Sequence, residues 1–261
     1  MVRLFEGARH NKKYIFSAIC LAIIFWLALF FYQYYFNVPG QMEVSIVSSA
    51  AFAGAILIGI SLLIGPLSRV FPSINYIRYR REFGVLGLTF AIVHIISVIY
   101  YYALGFSSMF FSLNPYTNPV LFGIVAFVLY LPIYFTSTDW AITKLGAKGW
   151  KIIHRFVYVA WILTVLHFLL VNPSMITNAT GYLLLAITSL VFIFELAAFL
   201  KHSLEIRSRG RYVGVAIAIF GIALFSLGYY FKQSTVSLSL IPMVLIGGFA
   251  LYFITKARNK K

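Results

Sequence analysis

The sequence predicts an all-α integral membrane protein, a bundle of about eight transmembrane helices, and three observations predict it. Hydrophobic residues fill 62% of the 261 positions and charged residues only 10%. Long apolar runs recur from end to end, and nearly all charge lies in the short segments between them. A soluble domain of this length would carry far more charge, and a membrane-spanning barrel would show short alternating segments instead of unbroken runs. The net charge of +15 is divided among those short segments, so it reports topology and not a nucleic-acid surface.

Crossing the hydrocarbon takes about 20 apolar residues. Stretches near that length are Tyr14–Phe36, Ser45–Leu67, Phe83–Leu104, Pro119–Ser137, Trp150–Val171, Gly181–Leu200, Tyr212–Phe231 and Leu238–Thr255. The opening MVRLFEGARHNKKY is charged like the start of a signal peptide. The run behind it is longer than a signal core and shows no clear small-residue cleavage site, so it is expected to persist as a span.

If the N-terminus is cytoplasmic, every one of the 21 basic residues except Lys232 falls in an inner segment, and the outer loops at 37–44, 105–118 and 172–180 carry one charge, Glu43. The positive-inside rule then places both termini in the cytoplasm and the protein in the plasma membrane as a multi-pass chain in contact with lipid. No segment between spans is long enough for a flavin or nicotinamide dehydrogenase domain, and no dinucleotide or phosphate-loop glycine pattern stands between a strand and a helix. Three parts are expected: 1–44, an inner segment with the first span; 45–200, the core; and 201–261, two further spans with a basic tail.

The lone cysteine, Cys20, gives neither a disulfide framework nor a CxxCH attachment site. Chemistry therefore falls to the histidines. His10 and His202 lie in basic inner segments, whereas His94, His154 and His167 lie within the third and fifth spans. An imidazole in hydrocarbon needs a partner, either a neighbouring helix or a metal. From the inner edge, helical rise puts His94 and His167 at roughly 17 and 25 Å and His154 at roughly 6 Å. His94 is thus nearer in depth to His167, and the pair is expected to ligate one haem in the outer half of the membrane. On the third span Gly84, Gly87, Ala91 and His94 share a face, which is expected to offer a flat macrocycle a smooth wall.

The runs RREFGVLGLTFAIVHIISVIYY, PVLFGIVAFVLYLPIY and FTSTDWAITKLGAKGWKIIHRFVYVAWILTVLHFLL resemble the ferric-reductase-like transmembrane superfamily over about residues 45 to 200. Within it they are most similar to the haem-binding membrane subunits of the periplasmic methionine sulfoxide reductase system. The resemblance implies b-type haem, in some members FMN, and electron transfer across the membrane. Donors would be a membrane quinol or a cytoplasmic flavin reductase, and the acceptor a soluble periplasmic reductase. It further implies that His94 and His167 are the axial ligands of the haem iron, with His154 the third cofactor-binding histidine. Two-haem relatives carry another histidine fourteen residues before the first ligand, where this chain has Arg80, so one haem is expected. Arg80 and Arg81 are expected to meet a flavin phosphate or anionic lipid. Two other readings stand beside this one: direct reduction of external ferric or cupric ions, and a haem-free transporter or structural membrane protein.

Overall fold

The computed structural model describes residues 12–71, 76–102, 118–171 and 178–205. Regular structure among them is entirely helical: α1 Lys12–Tyr32, α2 Met42–Val70, α3 Arg80–Tyr102, α4 Val120–Phe135, α5 Asp139–Val171 and α6 Ala179–Glu205, with a π turn at Gln33–Asn37 and a 3-10 turn at Ile77–Tyr79. Five of the six helices are long and apolar enough to span a membrane, and α4 has 16 residues. The expected count of about eight is therefore six among the described residues; Tyr212–Phe231 and Leu238–Thr255 lie outside them. Two compact units divide at Val191 and Phe192, and everything below concerns the first.

α2 is the most buried of the spans, because its small residues allow close neighbours. A methyl group on Gly54 would come within 2.9 Å of the Gly87 carbonyl oxygen and 3.0 Å of the Ala91 nitrogen, and one on Gly87 within 2.9 Å of the Ile58 nitrogen. Gly84 meets Ser61 in the same way, at 3.0 Å from Oγ, and Ser61 Oγ donates to the Arg80 carbonyl oxygen at 2.5 Å. α2 and α3 thus run antiparallel with backbones almost touching, the small-residue packing that membrane helices favour where no hydrophobic force separates helix from lipid. The Gly84–Gly87–Ala91 face, expected to line a macrocycle, is instead covered by α2. Gly87→Ala is expected to cost about 1–3 kcal/mol through overpacking, read as a lower unfolding temperature in detergent; an unchanged temperature would contradict the backbone contact.

α5 also departs from expectation. Residues 136–149 read as a membrane-edge loop because they are polar, yet the helix begins at Asp139, where Thr138 Oγ1 accepts the Ala141 N–H at 3.2 Å. It breaks direction at Gly146, whose φ of 66° and ψ of 162° are non-helical. Only glycine adopts that backbone without strain. The break lets a short polar helix precede the apolar span that carries the histidines.

At the opposite end, α1 runs into its π turn and buries Gln33 completely. Asn37 Nδ2 donates to Gln33 Oε1 at 2.6 Å, and Gln33 Nε2 reaches Thr180 Oγ1 of α6 at 3.5 Å. These bonds satisfy an amide that would be costly to bury alone, and they fix the end of α1 to the start of α6.

Candidate functional site

The antiparallel pair α2–α3 carries His94, and the pair α4–α5 carries His154 and His167. His94, half-buried on α3, places Nδ1 3.0 Å from the Val47 carbonyl oxygen of α2. His167, half-buried on α5, places Nδ1 3.1 Å from the Pro119 carbonyl oxygen at the start of α4. A carbonyl oxygen only accepts, so Nδ1 carries the proton in both rings and Nε2 is left with its lone pair. Each of the two histidines that depth pairs thus has its Nδ1 engaged by a backbone carbonyl of a neighbouring helix.

Gly123 explains how His167 is seated. A methyl group there would come within 2.9 Å of His167 Nδ1, 3.0 Å of Cε1 and 3.1 Å of Cγ. The ring therefore lies against the bare α-carbon one turn after Pro119, and any larger residue would occupy its place. Phe168 packs edge-on against Phe52 at 5.5 Å between ring centroids, which ties this end of α5 to α2. Sequence reading missed Gly123, whose only signal is a glycine in the first turn of the fourth span. The carbonyls of Val47 and Pro119 have no side-chain signal at all.

His154 belongs to a different cluster. It lies thirteen residues from His167 on the same helix, about 20 Å along the axis. Trp150 stacks on its ring at 3.9 Å between centroids, and the indole N–H donates to the Thr136 carbonyl oxygen at 3.0 Å. Thr136 Oγ1 donates to the Pro132 carbonyl oxygen at 2.6 Å. Its contact with His154 Nε2, at 3.2 Å, therefore has the imidazole as donor. The protonated nitrogen is Nε2, the opposite tautomer to that of His94 and His167. This nitrogen is engaged by protein, as a structural histidine's would be. His154→Ala is expected to keep most of whatever cofactor the other two hold, measured as haem per protein; a loss equal to that of His167→Ala would contradict the separation.

The arginines divide as well. Arg81 donates from Nε to the Ser137 carbonyl oxygen at 2.7 Å and from Nη1 to Asp139 Oδ1 at 2.8 Å. It ties the start of α3 to the start of α5. Arg80 takes another course, with its guanidinium over Gly65 of α2.

Among the described residues no three His, Cys, Asp or Glu side chains converge to hold a metal ion. What the chain offers instead is two oriented nitrogen donors. That set suits an iron whose remaining positions are filled by a macrocycle of its own, and the hydrogen bonds behind each ring are those that metal-binding imidazoles use.

Residues 47–165 match the family described as ferric reductase like transmembrane component. This segment is similar to that family. The ferric reductase-like segment covers Val47, His94, Pro119, Gly123 and His154 and stops just short of His167. The chain is also similar to the magnetosome protein MamZ of Magnetospirillum gryphiswaldense, 36% identical over 113 residues, which are 42% of this chain and 17% of that protein. Similarity extends to protein-methionine-sulfoxide reductase heme-binding subunits MsrQ. That of Herminiimonas arsenicoxydans is 32% identical over 114 residues, 41% of this chain and 50% of the relative. That of Agrobacterium fabrum is 28% identical over 127 residues, 48% and 57% of the two chains. The chain thus spans about half the length of the MsrQ proteins it matches and a smaller part of MamZ.

Proposed function

We propose that this chain is a haem-binding electron-transfer subunit of a membrane oxidoreductase, with one b-type haem held between His94 and His167. The observation that carries the reading is the shared tautomer: each ring is turned by a neighbouring helix's carbonyl so that Nε2 is the free donor. When bound, the haem would supply reversible one-electron iron chemistry. The protein's part is to hold both imidazoles neutral, fix their rotation through Val47 and Pro119, and keep the site within apolar helices. A histidine free to rotate would pair with a helix or snorkel instead.

Direction follows from charge. The Arg80 end of the bundle is read as cytoplasmic because the basic residues gather there, and the His94 and His167 end as the outer, periplasmic half. Electrons would then enter from a cytoplasmic flavin reductase or membrane quinol and leave to a soluble reductase on the outer face, as in repair of methionine sulfoxide. The similarity to MsrQ, whose name records both haem binding and a reductase partner, supports this reading. The test is reconstitution: purified protein expressed with haem is reduced with dithionite, freed of excess reductant without oxygen, and mixed with candidate outer-face reductases. Oxidation of the haem band on adding reductase and its substrate supports the reading, and a band that persists with every such partner contradicts the acceptor side of it.

A further inference from the structure

Ser97 stands three residues beyond His94 on α3, about 5 Å nearer the Tyr102 end and on nearly the same face. It is only 9% exposed, whereas Val93, Ile96 and Tyr100 on the same stretch of helix are exposed. Thr89, earlier on α3, returns its hydroxyl to the Val85 carbonyl oxygen at 2.9 Å, the usual resort of a hydroxyl in an apolar helix. Ser97 does not. Among the described residues its hydroxyl has no hydrogen-bond partner, although leaving a buried polar group unpaired costs free energy. Helical rotation also puts Ser97 about 80° round from Gly87, so it lies off the row that α2 covers.

The other hydroxyls near the two histidines are already committed. Thr164, one turn before His167 on α5, donates from Oγ1 to the Ala160 carbonyl oxygen at 2.9 Å, and the Tyr130 hydroxyl donates to Thr164 Oγ1 at 3.3 Å. A b-type haem carries two propionates, and an anion taken into an apolar bundle needs a donor. We infer that Ser97 donates its hydroxyl to a propionate of the haem that His94 holds. This inference rests on the haem reading above and adds a cofactor-binding residue to it. It makes the pocket selective for a porphyrin with a free carboxylate.

The test is a titration of the full chain, stripped of haem and held in detergent, with iron protoporphyrin and with its dimethyl ester, in which both carboxylates are masked. Wild type is expected to prefer the free acid. Ser97→Ala should lower that preference about tenfold, the worth of one hydrogen bond to a charged group. Ser97→Thr keeps the hydroxyl and should keep the preference. Ser68→Ala is the control, since the Ser68 hydroxyl serves the Ile64 carbonyl oxygen at 2.8 Å, and it should match wild type. Resonance Raman spectra of the loaded protein should show the propionate bending mode shifted in Ser97→Ala alone. An equal preference in wild type and Ser97→Ala, or none in wild type, overturns the assignment and leaves the haem reading standing. Binding of neither porphyrin overturns both.

Discussion

Replacing His94 or His167 with alanine is expected to strip most haem from the purified protein, lowering its affinity by more than about tenfold. Each ring is held by one backbone carbonyl, at 3.0 Å in the first case and 3.1 Å in the second. Its loss would leave the iron of the proposed haem with one protein ligand and a void where the ring stood. The measurement is haem per protein by absorbance, on samples matched by size exclusion. Because the two ligands act as a unit, the double substitution should be little worse than either single one. Haem content near wild type in either single variant would separate that histidine from the iron.

The second large effect is expected at Gly123. Valine there would drive its Cβ to 2.9 Å from His167 Nδ1, so the ring must turn, lose Pro119 and withdraw Nε2 from the iron. Haem affinity should fall about 10- to 100-fold, the range seen when a ligand's supporting hydrogen bond is lost, and the remaining haem should lose its low-spin spectrum. Gly149→Ala is the control, since a methyl there meets only Leu145 Cβ at 3.6 Å, an ordinary contact. A wild-type spectrum in Gly123→Val would mean that His167 does not rest on α4 as described.

These two predictions differ in how far the sequence alone leads to them. An imidazole inside an apolar run is visible in one dimension because its polarity contradicts its surroundings, and helical rise then gives its depth. Gly123 is not visible in that way. A glycine in a membrane helix permits close approach by a neighbouring backbone or by a side chain, and only the packing shows which. The same ambiguity misdirected the reading of Gly84 and Gly87, whose spacing with His94 was genuine but served the contact with α2. Carbonyl partners such as Val47 are carried by every residue type, so no composition or motif marks them.

The spans of the first unit were legible because hydropathy and length decide them. α5 was the exception, since Asp139, Lys144 and Lys148 diluted the apolar signal over a segment that is nonetheless helical. Gly146 is informative only in retrospect: its positive φ turns what reads as a loop into two helical pieces. The spacing Trp150–x–x–x–His154 lies within a run that carries the family resemblance. Its physical meaning is one turn of helix, which stacks the two rings and leaves both facing Thr136.

The central claim is that one iron is shared by His94 and His167, and an absorption and electron paramagnetic resonance spectrum of the purified chain, oxidised and then reduced by dithionite, tests it most directly. The account predicts a six-coordinate low-spin haem in both oxidation states, with a stoichiometry near one per chain. Protein with no Soret absorbance after expression with haem supplied, or a high-spin five-coordinate spectrum, would contradict it.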